Sequence, residues 1–209
     1  RAVTQSIFTD LLIKGEIIED LRPNLYDPVE GTTIADAEVK RITRKTNLAH
    51  IRWSLEDGGE IIISTTRPEL ICACGVVLVH PDDNRYRDMI GKTARLPIKV
   101  KGRSDKVKIL SHPSVKMEFG SGVLMVCSYG DQNDVSVFRE LKLEPFQAID
   151  LEGRMTGIAG QLEGMLVAEA RSAAIEMLSS DGRLEGLEER EQEIPVSERG
   201  ENPIEITLL

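Results

Sequence analysis

Apolar residues change period several times along the chain, and each change marks an element. Ile7, Leu11, Leu12, Ile13, Ile17 and Ile18 lie near helical spacing, which predicts an amphipathic helix ending near Lys14–Gly15, where glycine tolerates a left-handed cap. "DLRPNLYDPVEGTT" packs prolines and a glycine into a short span and reads as irregular or turn. "AHIRWSLEDGGEIIISTT" alternates on both sides of Asp57-Gly58-Gly59, a hairpin whose second strand runs through Ile63. "CACGVVLVHP" predicts a strand stopped by Pro81, and "GSGVLMVCSYGD" a buried strand entered through glycine. "DQNDVSVFRELKL" returns to the helical period, with Val135, Phe138 and Leu141 on one stripe. "LVAEARSAAIEMLSSDG" predicts a second such helix with Gly182 just past its end, and "IPVSERGENPIEITLL" an exit strand. Short strands with few helices predict an α+β fold, a β-barrel-like body with flanking helices, and not a doubly wound sheet. The expected organisation is an entry helix and linker strands over 1–45, the barrel over 46–190 and the exit strand over 191–209.

Composition narrows the class. The 209 residues are 41% apolar and 29% charged, an ordinary globular balance. No apolar run approaches the roughly 20 residues of a membrane helix, and the opening residues lack the apolar core of a signal peptide. Three cysteines make no complete disulfide set, so a reducing, cytoplasmic setting is expected. A start at Arg1 instead of methionine points to a piece of a longer protein. The net charge of −9 argues against wholesale binding to a polyanion. Arg85 to Lys108 is nevertheless strongly basic, as a phosphate-facing surface or a solvated loop would be.

Candidate chemistry gathers in two places. In "STTRPEL", Pro68 biases Arg67 to extended geometry, Thr65 and Thr66 supply hydroxyls, and Arg67 carries a fork suited to carboxylate or phosphate. The stretch reads either as a polar site or as a strand end with a Thr–Glu contact. In "GSGVLMVCSYGDQND", Asp131 and Asp134 open a helix. One suffices as the N-cap, and the other is available for an ammonium group. Cys72 and Cys74, expected on one strand face, are too close for ordinary zinc ligation, and Cys127 has no partner pair. His80 and His112 precede prolines and read as structural. Neither a Ser-His-Asp arrangement nor a GxxxxGK[ST] loop is evident, so an enzyme built this way works by positioning water.

Taken together, "STTRPEL", "VVLVHPDDNRYRDMIGK", "GSGVLMVCSYGDQNDV" and "ERGENPIEI" resemble, in order and over nearly the whole chain, the inserted editing domain of valyl-tRNA synthetases, with "MVCSYGD" pointing to the archaeal-type branch. HIGH-like and KMSKS-like sequences are missing, so the resemblance implies a deacylase that clears threonine from the valine tRNA, without the ATP- and magnesium-dependent charging site. It places Thr65 and Thr66 in the catalytic machinery beside the terminal adenosine and ester carbonyl, with Asp134 holding the α-ammonium. Arg67, Glu69, Asp131, Cys127 and Met125 are implied as substrate-binding. Bacterial members typically carry threonine and lysine where Cys127 and Met125 stand, and a frequent threonine is replaced by Leu70. The paired cysteines that many relatives have near "RPNLYDPVEGTTIA" are absent, so no zinc or other cofactor is expected in this part. Implied partners are the tRNA 3′ end bearing a misattached amino acid and the rest of the synthetase, with no membrane. The alternatives are the editing domain of an isoleucyl or leucyl enzyme, and a non-catalytic barrel binding nucleic acid or a partner through the basic stretch.

Overall fold

In a computed structural model covering residues 1–209, three open sheets and three α-helices form an α+β fold. The helix α1 (Ala2–Ile13) forms where its spacing predicts, but buries none of its residues against the chain, leaving Val3, Ile7, Phe8 and Leu12 exposed. The segment expected to be irregular holds strand β1 (Pro23–Asp27), antiparallel to β2 (Thr32–Thr33). The prolines that argued against a strand sit at its borders: Pro23 opens it, where a missing N–H costs nothing, and Pro28 follows its end.

A long ribbon dominates the next sheet. β3 (Val39–Ser54) pairs with β9 (Leu184–Ser197) from Val39 opposite Ser197 to Ile51 opposite Leu184, with an irregularity between His50 and Ile51. At about 3.3 Å per residue β3 is roughly 50 Å long. Its first half is exposed and carries charged pairs such as Lys45 with Glu189 at 2.8 Å, which is why no apolar alternation announces it. Residues 45 and 191 pair directly, as do 46 and 190, so both expected domain boundaries fall mid-ribbon at one level. From Leu48 onward the strand enters the core, and β4 (Glu60–Thr65) returns beside it through the predicted Asp57-Gly58-Gly59 turn.

The third sheet has the order β6 (Thr93–Arg95), β7 (Lys106–Ser111), β5 (Cys74–Val79), β8 (Val123–Cys127), with β5 and β7 parallel. A Leu55–Ala94 bridge joins it to the ribbon sheet, but the sheets stay open, so the barrel is only approximate. Between them lies the main core, centred on Ile51, Trp53, Ile63, Ile71, Val77 and Ile109. The helix α3 (Val167–Ser180) covers one end, presenting Ala170, Ala174 and Leu178 at four-residue spacing. The helix α2 (Gln132–Glu140) lies on the far side, burying Val137 and Phe138 against Val76 and Leu78. Gly75 makes this close approach possible, since a Cβ there would overlap the Phe138 ring. β10 (Glu205–Leu208) completes the first sheet beside β1. Cys72 departs from expectation: it belongs to a 3-10 turn over Pro68–Ala73, and only Cys74 is in the strand. Pro68 starts that turn, so the apolar run through Cys74 is half turn and half strand.

Candidate functional site

β4 ends at Thr65 because the next peptides are claimed by a turn. The Arg67 N–H donates to Thr65 Oγ1 at 3.0 Å, and Pro68 then begins the 3-10 turn. The Thr65 hydroxyl is therefore occupied locally. Thr66 is half-buried, and neither its hydroxyl nor its N–H has a partner within the chain. Just upstream, Ser64 Oγ accepts from the Ser121 N–H at 3.0 Å and lies 2.8 Å from His50 Nδ1. Gly120 permits this contact, since a Cβ there would come 2.6 Å from Ser64 Cβ. The turn leading into β8 is thus fastened to the end of β4.

The second group of candidates lies at the entry to α2. Asp131 is the N-cap, its Oδ1 accepting from the Asp134 N–H at 2.8 Å, and its side chain is exposed. Asp134, within the first turn, sends Oδ2 back to the Cys127 N–H at 3.1 Å, while its Oδ1 has no partner. Burial, reinforced by the Asp131 charge, pushes the Asp134 carboxyl up to about 8, against the Cys127 N–H and the Arg67 charge. The chain reaches this geometry through Tyr129, a non-glycine residue at φ 58°, a costly conformation concentrated at functional sites. Gly130 follows, and a Cβ on it would overlap Asp134 Oδ2. Its φ is not positive, so alanine fits the backbone there and only the carboxylate has to move. We predict that Gly130→Ala leaves the melting temperature nearly unchanged while lowering any Asp134-dependent activity roughly tenfold or more, as paired thermal and kinetic measurements would reveal.

Arg67 connects the two groups. Its Nη2 forks onto Glu205 Oε2 and Oε1 at 2.8 and 3.1 Å, Nε donates to Glu69 Oε1 at 3.0 Å, and Nη1 reaches the Gly130 carbonyl at 3.4 Å. The fork therefore grips internal carboxylates. Glu69 is fully buried, and Arg171 of α3 takes its other face at 2.8 and 3.0 Å. Burial pushes the Glu69 carboxyl up, but Arg67 and Arg171 outweigh it and hold it below the usual range. Met125 and Cys127 are buried in the main core. Cys127 stands opposite Cys74, and burial, with Cys74 beside it, pushes its thiol well up, so it stays protonated. Arg67 thus links the Thr65–Thr66 turn to the Asp131–Asp134 helix entrance through the Gly130 carbonyl, with Thr65 fixing the turn and Glu69, Met125 and Cys127 buried.

The basic stretch is partly neutralised in place. Arg85 pairs with Asp83 at 2.6 Å, Lys92 with Asp57 at 2.9 Å, Arg95 with Asp105 at 2.9 Å and Lys101 with Glu163 at 2.7 Å, while Lys106 meets Glu56. Arg103 turns inward, donating to the carbonyls of Cys72 and Cys74 and stacking on Phe146 at 4.0 Å. His80 and His112 each accept from a backbone N–H two residues on, organising their own turns.

Against known proteins the chain is 40% identical over 207 residues to a valine–tRNA ligase of Aeropyrum pernix, a match covering 99% of this chain and 25% of that protein. The chain is homologous to a segment of the archaeal valine–tRNA ligases. The ligase of Nanoarchaeum equitans is 42% identical over 207 residues, covering 27% of its length, and that of Thermoplasma acidophilum 40% over 206 residues. The chain spans about a quarter of the length of the ligases it matches. No protein-family model matches it. Among solved structures, the LeuRS–tRNA–LeuAMS ternary complex of Agrobacterium radiobacter K84 shares the fold, with a TM-score of 0.54 over 90% of this chain and 32% of that one, at 16% identity. Because the ligase matches run nearly end to end, the shared segment includes the ribbon, all three sheets and the stretches that carry Thr66, Arg67, Asp131 and Asp134. No helix is long and apolar enough to cross a membrane.

Proposed function

We propose that this segment hydrolyses aminoacyl esters at the 3′ end of tRNA, removing threonine misattached to the valine tRNA. The observation that carries the reading is Asp134. Its carboxylate is desolvated, anchored by one oxygen to the Cys127 N–H and free at the other, and feels the charge of Arg67, the residue that follows the unpartnered Thr66. A carboxylate so placed gains most from a cation, and an aminoacyl ester supplies one in its α-ammonium group.

The chemistry follows from those positions. Asp134 holds the ammonium, and the Thr66 N–H and hydroxyl face the ester carbonyl as charge develops on its oxygen. Thr65 keeps the turn closed, while Arg67 and Glu69 carry it from behind. Asp131 is assigned to the side-chain end of the amino acid, and Met125 and Cys127, buried in the main core, support the strand that leads to it. An ordered water forms the new bond to the acyl carbon, the ester bond to the ribose oxygen breaks, and that oxygen takes up a proton. The products are free amino acid and tRNA, and the step needs neither ATP nor magnesium nor a metal. The proposed partners are the tRNA 3′ end and the remainder of the synthetase chain, in the cytoplasm.

Selection for threonine has a physical basis. A hydrophobic pocket rejects an added hydroxyl poorly, and valine enzymes facing threonine are the standing example of that limit. A second, polar pocket reverses the preference, because valine leaves its donors and acceptors unpaired at roughly 1–3 kcal/mol each. The rival reading of Arg85–Lys108 as a polyanion surface has less support, because five of its nine cations sit in ion pairs. The test is hydrolysis of threonyl- and valyl-tRNA carrying the valine anticodon, alongside binding of non-hydrolysable threonyl- and valyl-adenosine analogues. Faster release of threonine and tighter binding of its analogue are expected. Equal binding of both analogues, with no hydrolysis of either ester, overturns the reading.

A further inference from the structure

We infer that Glu205, on the last strand and far in sequence from the cleft, is a positioning residue for its chemistry; this rests on the deacylase reading above. The Glu205 side chain is 8% exposed, and both of its oxygens accept from one terminal nitrogen of Arg67. Glu205 sits on β10, opposite Tyr26 of β1, in a sheet separate from those whose strands lead to Arg67 and Gly130. Arg67 follows Thr66 directly, and its other terminal nitrogen reaches the carbonyl of Gly130, the residue packed on Asp134. The guanidinium is a rigid plate, so fixing one corner fixes the others. Glu69 grips only Nε and the Gly130 carbonyl is a longer contact at 3.4 Å, so without Glu205 the plate can swing as a unit about the Cδ–Nε bond. Glu205 removes that freedom and sets the gap between the Thr66 turn and the Asp134 helix entrance. The last sheet therefore acts as a backstop for the reacting groups without touching the substrate.

This differs from plain stabilisation in what it moves. Glu205→Gln keeps the size and one acceptor but loses the charge that holds the fork. The expected result is a fall in kcat of about tenfold or more with KM within about threefold, because alignment suffers more than binding. Glu205→Asp retains the charge and should recover part of that loss, whereas Arg67→Lys, which keeps charge but has no fork, should not. Amide hydrogen exchange of residues 64–73 and 128–131 supplies a readout independent of catalysis, and both segments should exchange faster in Glu205→Gln while the β5 amides are unchanged. Unaltered exchange in both segments together with unaltered kcat overturns the inference. Faster local exchange in a protein that hydrolyses no threonyl ester even as wild type upholds the positioning role and removes the deacylase reading instead. Should Glu205→Gln unfold, the same comparison is made between Glu205→Asp and wild type.

Discussion

Asp134→Asn is expected to lower kcat/KM for threonyl-ester hydrolysis by roughly a hundredfold and, at the same time, to stabilise the fold at alkaline pH. The first effect follows from a charge-assisted hydrogen bond, about 2–3 kcal/mol, lost with the carboxylate. The second follows from the cause of its shifted titration. An unfolded aspartate ionises near 4, while the folded carboxyl, pushed up to about 8 by burial and by Asp131, resists. Between those values the unfolded chain has already released its proton and the folded one has not, so wild-type stability declines as pH rises. Above the folded value the decline stops. The asparagine variant has no such group, and its Oδ1 still accepts from the Cys127 N–H. Its advantage should be near zero at pH 4 and grow to on the order of 2–3 kcal/mol by pH 8, read from urea midpoints across that range. An advantage that is flat with pH would mean that the carboxyl is ordinary and waits for no cation.

Glu69→Ala should be the most damaging single change in the molecule. The residue is fully buried between two guanidinium groups, and removing it leaves Arg67 and Arg171 facing one another without their shared counter-charge. Breaking a buried pair in this way costs about 3–5 kcal/mol, or roughly 8–15 °C in melting temperature for a domain of this size. Arg171→Ala should cost less, because its side chain is 36% exposed and water takes over part of its role. The acid limb gives a second check. The folded Glu69 carboxyl titrates below its ordinary range, so its contribution is complete above about pH 5 and drains away as pH falls through the folded value. Glu69→Gln should lack that limb, and a calorimetric series from pH 7 to pH 3 would show the two curves converging. Parallel curves would mean that Glu69 holds no charge in the folded state.

What the sequence displayed was whatever repeats with a local period. α2, α3 and the Asp57-Gly58-Gly59 hairpin are legible because their apolar residues recur at helical or alternating spacing and their caps lie next to them. β1 was hidden by prolines that border it instead of interrupting it. The outer half of the ribbon was hidden because strand pairing there is held by backbone and charge, with little apolar alternation to read. At the cleft, Asp131 as cap and Asp134 as the spare acid follow from their spacing at a helix entrance, and the structure adds the unpaired oxygen. The fate of Arg67 could not be read, since its principal partner is 138 residues away on a strand that carries no mark of that role. His50 and Ser64 face each other across neighbouring strands, and only the register of β3 with β4 discloses it. Tyr129 is silent as well, because nothing about a tyrosine announces a left-handed backbone.

The side-by-side crossing of the ribbon has an energetic consequence. Arg22 and Leu209 exchange both backbone hydrogen bonds, and residues 45 and 191 face each other further along, so the polypeptide comes and goes along one doubled track. Everything beyond that level is reached through two peptides about 5 Å apart. Separating the ribbon at that level should therefore cost backbone pairing and little apolar packing, because the strands there are exposed.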